Sequence, residues 1–401
     1  MSNLSLAARC KLLAVLTALL CIMPISITTL SAQQPLTEAF AIANLDFIRL
    51  TAESGRSSIY LTVTTKGGQE GIYGPIDSDA ALIADKMMKK RVVGKNALAH
   101  EAIWNNLFKS NRHSRGSHYL MGMSAIDNVL WDLKGKIFNQ PVYVLLGGDR
   151  NTVPVYGSCL GFSHEPKAMQ SAARKLKSEG YVHQKWFLNS ITPDDGPSGL
   201  AKNVEQVRLL REALGEDADL MIDVLYSWNL NYAASWCKQV EKFNLRWLEE
   251  AVPSANLDAF IELSNETSVP LATGEHFYTR YDVQKFLRND AIRVVQADPE
   301  WCGGVSELVK ICNIASVHGA QVIPHGHSVH AAMHVVASQD SNVCPLVEYL
   351  INKMNGHYYY FEKSPPQPVN GTLTLPDRAG FGIELDDSKI VKREVITWRD
   401  L

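Results

Sequence analysis

Paired cysteines are missing from this chain. Its seven cysteines include no Cys-x-x-C, which argues against a zinc ribbon or a thioredoxin-like dithiol. Cys10 and Cys21 lie near the N-terminus. The other five (Cys159, Cys237, Cys302, Cys312 and Cys344) are an odd number, so at least one thiol stays free, and most sit in apolar runs as small core residues. A Gly-rich phosphate loop after a first parallel strand is also lacking, which disfavours a doubly wound nucleotide-binding sheet. Excess charge of one sign is absent too. The 39 Lys+Arg and 42 Asp+Glu leave a formal charge of −3, so neither nucleic acid nor an anionic membrane is an expected partner. One local basic cluster (Lys109, Arg112, His113, Arg115) reads as a solvated loop. What remains, 46% hydrophobic and 20% charged residues over 401 positions, suits a globular enzyme of two or three domains with an ample core.

The first 32 residues have their own texture. Arg9 and Lys11 precede an apolar run from Leu12 to about Ile27, followed by Leu30-Ser31-Ala32. A basic, apolar, small-residue order predicts a secretory signal peptide and an exported protein, periplasmic or secreted; the competing reading is an uncleaved anchor. From Phe40 to Ile76 apolar residues alternate as in strands, and Ala125, Ile126, Val129, Leu130 and Leu133 recur at helical spacing. Residues 40–150 are therefore expected to form a small α+β domain.

Beyond Val153 short apolar runs alternate with amphipathic stretches. Eight runs fit this pattern: Val153–Tyr156, Val182–Leu188, Leu220–Val224, Leu245–Leu248, Val269–Leu271, Ile292–Val295, Ala320–Ile323 and Leu346–Val347. Repeated strand–helix units predict an α/β fold, a (β/α) barrel over 151–365, with a tail over 366–401 that packs back on the first domain. Polar residues stand at the ends of these runs: Lys185 in the second, then Asp223, Glu249, Glu275, Asp298, His325 and Glu348. From Asp223 onward they are spaced 26, 26, 23, 27 and 23 residues apart, about one unit each. Such positions converge on the C-terminal mouth of a barrel. Three successive strand-end acids suit a hard cation such as Mg²⁺, and Asp298 with His325 suggests a dyad in which the carboxylate sets the imidazole tautomer. A lone carboxylate after a strand would more often be a helix cap, but a series in register with the repeat is not explained that way.

Several segments then match a known pattern. Ser124-Ala125-Ile126-Asp127 to Trp131-Asp132-Leu133 and Leu145-Leu146-Gly147-Gly148 resemble the end of the capping domain of the enolase superfamily. Trp247-Leu248-Glu249-Glu250, Thr273-Gly274-Glu275-His276, Asp298 with Gly303-Gly304, and Pro324-His325-Gly326 resemble motifs of its mandelate racemase group. Glu249-Glu250-Ala251 and Trp301-Cys302-Gly303-Gly304 are similar to the L-rhamnonate dehydratase-like branch of sugar-acid dehydratases. The resemblance implies a modified TIM barrel with an N-terminal α+β capping domain. It also implies Mg²⁺ on Asp223, Glu249 and Glu275, a base dyad of His325 and Asp298, and Glu348 as a hydrogen-bond donor or stabiliser. Glu250 could take part of Glu249's role, since adjacent acids cannot be told apart in sequence. Where many members carry Lys-x-Lys, this chain has Lys185-Trp186-Phe187, so a second base opposite His325 is missing and Lys185 is left to neutralise substrate charge.

The expected activity is therefore removal of the α-proton of a small-molecule acid sugar and loss of its β-hydroxyl, giving a 2-keto-3-deoxy acid. Cycloisomerisation or epimerisation through the same enediolate is the enzymatic alternative, and a non-catalytic exported sugar-acid-binding protein the alternative of another class. Arg56 and Tyr73, placed in closing loops of the first domain, and His276 are expected substrate contacts. The expected assembly is a homo-oligomer.

Overall fold

The computed structural model describes residues 38–113 and 115–401; the signal-peptide expectation lies outside them. Strands β1 (Ile42–Thr51), β2 (Ser57–Thr65) and β3 (Glu70–Ile76) form an antiparallel sheet that Lys392–Ile396, the last strand, extends beside β1. Alternation drives it: Leu45, Phe47, Leu61 and Val63 are fully buried on one face. Helix His118–Phe138 packs on β3. A Cβ on Gly71 would lie 2.8 Å from Leu133 Cβ and 2.9 Å from Val129 O, so glycine allows this close approach. Among the described residues no helix is long and apolar enough to cross a membrane.

Eight parallel strands follow in sequence order: β4 (Thr152–Ser158), β5 (His183–Phe187), β6 (Asp219–Asp223), β7 (Trp247–Glu249), β8 (Leu271–Thr273), β9 (Val294–Val295), β10 (Gln321–Val322) and β11 (Val347–Leu350). Each pairs with the next as far as β10, and β11 returns to β4. The seam between β10 and β11 has no strand pairing; Val322 N–H donates to Val343 O at 2.8 Å and Glu348 N–H to Pro324 O at 3.4 Å. Seven helices, from Pro166–Ser178 to His330–Ser338, lie between successive strands. Together with the antiparallel sheet this is the architecture expected of a capping domain and a TIM-like barrel. Tyr156, Met221, Trp247, Ala272, Val294, Ile323 and Leu346 form an inner cluster of their own, so the barrel is a filled core. Ala39–Leu401 forms one compact unit.

The tail reaches both sheets. β12 (Thr372–Thr374) pairs antiparallel with β4, and β13 (Lys392–Ile396) with β1. Helix His118–Phe138 also differs from a simple amphipathic element, because polar residues on it are buried beside the apolar ones. The reason is docking on the barrel segment 299–306. Ser124 Oγ accepts from Gly303 N–H (2.9 Å), Asn128 Oδ1 from Val305 N–H (3.0 Å), and Asp127 from Ser306 N–H and Oγ–H (2.8 and 2.7 Å). Asp127 thus satisfies the start of helix Val305–Val317. Gly304, at φ +90°, leaves room for it, since a Cβ there would lie 2.5 Å from Asp127 Cβ.

Replacing Asp127 with Ala leaves two buried donors of Ser306 unpaired, for which a loss of ~3 kcal/mol is expected. Asp127→Asn, which keeps an acceptor, should lose clearly less. Urea unfolding of the two variants checks this; equal losses would mean that packing, not hydrogen bonding, sets the joint.

Candidate active site

The strand period of two organises the mouth of the barrel. Two residues beyond the inner-layer side chains Met221, Trp247, Ile323 and Leu346 stand Asp223, Glu249, His325 and Glu348. Asp298 lies four beyond Val294. These four strands therefore each send an apolar side chain into the floor and a polar one into the chamber above it.

Lys185 lies at the centre of this chamber. It is 1% exposed, and its Nζ is 2.5 Å from Glu249 Oε1, 3.0 Å from Glu348 Oε1 and 3.2 Å from Asp223 Oδ2. Burial alone would strip its proton, but these acids outweigh it and hold the ammonium well above its ordinary pKa. Burial pushes Asp223 up to about 7, opposed by Lys185 and reinforced by Glu250 and Glu275. Glu275 is also pushed up to about 7, by burial first, with His325 opposing. Glu348 goes the other way, to about 2, because Lys185 and His325 overcome its burial.

His325 faces the same acids. Its Nδ1 is 2.7 Å from Asp298 Oδ2, while Nε2 points to Glu275 Oε2 at 3.6 Å and Glu348 Oε2 at 4.0 Å. Asp298 is anchored further by His327 N–H on Oδ2 (3.2 Å) and Glu300 N–H on Oδ1 (2.6 Å). Although burial lowers the imidazole, Glu275, Glu348 and Asp298 raise it to about 10.

The adjacent acids Glu249 and Glu250 are separated by geometry. Glu249 has both oxygens engaged, by Lys185 and by Trp247 Nε1–H at 2.9 Å. Glu250, at φ +51°, points instead to the side of Glu275 and His276, and its buried Oε1 has no hydrogen bond. Glu250, Glu275 and His276 bring ligand atoms within 4.8 Å of one another. Buried acids with unsatisfied oxygens are the donor set a hard divalent cation requires, so the residues present fit one.

Among the expected substrate contacts, His276 stands at this mouth, 3.4 Å from Glu275 and 3.6 Å from Glu250, and partly exposed. Tyr73 is not in a loop. It is fully buried on β3 and donates its hydroxyl to Glu300. Its place in the strand alternation turns it inward, towards the barrel. Arg56 does lie in the β1–β2 turn, where it donates to Gly356 O (3.3 Å) and His357 O (3.4 Å). It lines a cleft of ≈ 520 Å³ with Asp77 and Tyr358, outside the chamber of acids. Phe187, level with Asp223 in the strand register, places its ring 5.3 Å from Lys185 Nζ.

Other residues at the site carry little sequence signal. Trp301 lies against His325, His327 and His276, with ring centroids 4.8, 5.0 and 5.6 Å apart. Lys353 Nζ donates to His327 Nδ1 (2.9 Å) and O (2.7 Å), while His327 Nε2 meets Asp77 at 2.9 Å. This Lys353–His327–Asp77 chain clasps the capping segment to the rim of the barrel. His327 could have been found as the second imidazole of His325-Gly326-His327. Nothing in sequence joins Asp77 to Lys353.

The comparisons with known proteins agree with this geometry. Residues 41–147 match the family model of the mandelate racemase / muconate lactonizing enzyme N-terminal domain, and 168–389 that of the enolase C-terminal domain-like family. The chain is 32% identical to an L-rhamnonate dehydratase of Saccharopolyspora erythraea over 365 residues, covering 89% of this chain and 87% of the relative. It is 30% identical to an arabinonate dehydratase of Saccharolobus solfataricus over 325 residues, covering 80% and 84%. The crystal structure of a 3,6-anhydro-D-galactonate cycloisomerase from Zobellia galactanivorans superposes with a TM-score of 0.74 at 26% identity, covering 88% of this chain and all (100%) of the other.

Lys185→Met should cost ~3 kcal/mol, because it strands buried acids without their cation. Combining it with Glu249→Gln should lose less than the sum of the single changes. Urea unfolding of all three variants tests this, and strict additivity would refute Lys185 as the charge partner.

Proposed function

This chain belongs to the enolase superfamily, in its mandelate racemase / muconate lactonizing enzyme family, and from that premise we propose that it is a Mg²⁺-dependent sugar-acid dehydratase. The observation that carries this reading is a His325–Asp298 dyad facing a chamber of acids in which Phe187 stands where a second base would be needed. The names of the two dehydratase relatives support the substrate class, an aldonate.

Asp223, Glu249 and Glu275 would hold the cation, with Glu250 and His276 beside them. A divalent cation, when bound there, supplies a Lewis acid that makes the proton next to a carboxylate removable. The chain's own groups do the rest. Asp298 holds Nδ1 of His325, so Nε2 is the nitrogen that would accept the α-proton once a cation at Glu275 and its neighbours offsets the negative charge that otherwise keeps the imidazole protonated. Lys185, buried and charged, stabilises the negative charge that develops on the substrate carboxylate. Protonated His325 then returns its proton to the departing β-hydroxyl, and the enol tautomerises to the 2-keto-3-deoxy acid. The floor of Tyr156, Met221 and Trp247 keeps water away from beneath. Cycloisomerisation of an anhydro sugar acid is the second reading. It starts with the same proton abstraction and is favoured by the likeness to the Zobellia galactanivorans enzyme.

Incubation with Mg²⁺ and a library of acid sugars should yield a 2-keto acid from at least one of them. A 2-keto product isomeric with its anhydro substrate, formed without loss of water, would favour the second reading. Glu249→Gln, Asp223→Asn and Glu275→Gln should each abolish Mg²⁺-dependent turnover, and Glu250→Gln should cost less than Glu249→Gln. The reverse order would transfer the ligand role to Glu250.

His325→Asn should lose both turnover and exchange of the substrate α-proton in D₂O, followed by proton NMR. Persistent exchange would identify Lys185 as a base and replace the dehydratase reading with an epimerase. We also propose export, from the basic–apolar–small order of residues 9–32; the mass of the mature N-terminus, expected near Gln33, tests it.

A further inference from the structure

We propose that Cys312 and Cys344 form a disulfide when the chain folds in the presence of a small-molecule disulfide oxidant, stapling the barrel across its open seam. The two sulfurs lie 3.6 Å apart, the one thiol pair in hydrogen-bond contact among the described residues. Cys159 and Cys302 instead donate to carbonyls of their own loops, Gly157 O (3.8 Å) and Gly304 O (4.0 Å). A disulfide is about 2.05 Å long, so a gap of roughly 1.5 Å remains, which a modest side-chain rotation can close.

The location gives the bond a consequence. Cys312 lies on helix Val305–Val317, after β9; Cys344 lies in the turn that leads into β11, next to Val343, whose carbonyl is one of the few backbone links across the β10–β11 seam. A bond here would tie the β9 unit to the entry of β11 and enclose β10 and helix His330–Ser338 in one covalent loop. Glu348 on β11 and His325 just after β10 sit on either side of that seam, so the staple would hold two walls of the chamber together.

Timing follows from burial. Cys312 is 1% exposed and Cys344 fully buried, and their mutual hydrogen bond together with burial holds the Cys312 thiol well above the usual thiol range. Exchange needs a thiolate and access, so the bond has to form before this part of the core closes. One cysteine thiolate attacks the oxidant, RSSR, to give a mixed disulfide and RS⁻; the second thiolate displaces the other RS⁻. The two released thiolates take up the two cysteine protons. Two cysteine thiols are thereby oxidised to one disulfide and RSSR is reduced to two RSH.

The experiment is independent of any catalytic assignment. The full chain is unfolded, reduced, and refolded in a buffer of oxidised and reduced glutathione or in reduced glutathione alone. It is then unfolded again, alkylated with iodoacetamide and mapped as peptides without reduction. After oxidative refolding a single link should join the peptides of Cys312 and Cys344, with Cys10, Cys21, Cys159, Cys237 and Cys302 alkylated. The linked form should melt a few degrees higher than the reduced form, and dithiothreitol added to unfolded protein should abolish the difference. Cys312→Ala and Cys344→Ala should each leave the partner cysteine alkylated and remove the redox dependence of melting. Alkylation of both thiols after oxidative refolding, or links scattered among several cysteines, would overturn the proposal and leave the pair as packed thiols.

Discussion

Charge balance among buried carboxylates is the constraint on which this structure turns. Asp223, Glu249, Glu250, Glu275, Asp298 and Glu348 are all buried at one end of the barrel. Left to repel one another in a medium that solvates them poorly, they would be neutralised or would unfold the site. Lys185 from below and His325 from the side supply the opposing charge. Backbone donors add to it: Leu225 N–H on Asp223 (2.9 Å), Gly326 N–H on Glu348 (2.9 Å) and His327 N–H on Asp298 (3.2 Å). Compensation is incomplete, as the elevated Asp223 and Glu275 and the unbonded Oε1 of Glu250 show. That residue of uncompensated negative charge is what the proposed divalent cation would neutralise.

The capping helix is the second element the site depends on. Its Ser124, Asp127 and Asn128 hold the segment that follows Asp298, and Asn128 Nδ2 also donates to Pro299 O at 3.1 Å. Asp132 on the same helix accepts from Ile72 N–H (2.8 Å) and Phe381 N–H (2.9 Å), joining β3 and the C-terminal tail. One helix thus links capping sheet, tail and the loop after Asp298. Glu300, in that loop, receives the Tyr73 hydroxyl, so β3 reaches within two residues of the dyad carboxylate. The polar residues that make these joints cannot be told from a solvated helix face in sequence, because only the packing partner decides which side of a helix is wet.

The barrel itself was legible, and for a clear reason. Each of the eight apolar runs read from sequence overlaps a parallel strand, by a single residue at β8 and β11, since a strand buried on both faces is largely apolar. The strand-end acids, Lys185 and the His325–Asp298 pair meet in one chamber because a two-residue period and a repeat of about one β/α unit leave a side chain little choice of direction. Arg56 and Tyr73 were harder to place. Their surroundings depend on how the first sheet lies on the barrel: Tyr73 is turned inward to Glu300, and Arg56 sits over a cleft outside the chamber.

Sequence by itself determined the period of the elements and the residue type at each strand end, because these follow from local backbone geometry and from chemistry carried by single positions; that Phe187 replaces a second base is what the family resemblance implies. Tertiary structure alone decided that Glu249 meets Lys185 while Glu250 joins Glu275 and His276, that Lys185 balances three acids, and that Trp301, His327, Lys353 and Asp77 complete the rim. It alone also brought Cys312 and Cys344 together across a gap of 32 residues. Such contacts join residues far apart in the chain, and their distances are set by the closure of the barrel and the docking of the capping helix, neither of which leaves a periodic trace in the sequence.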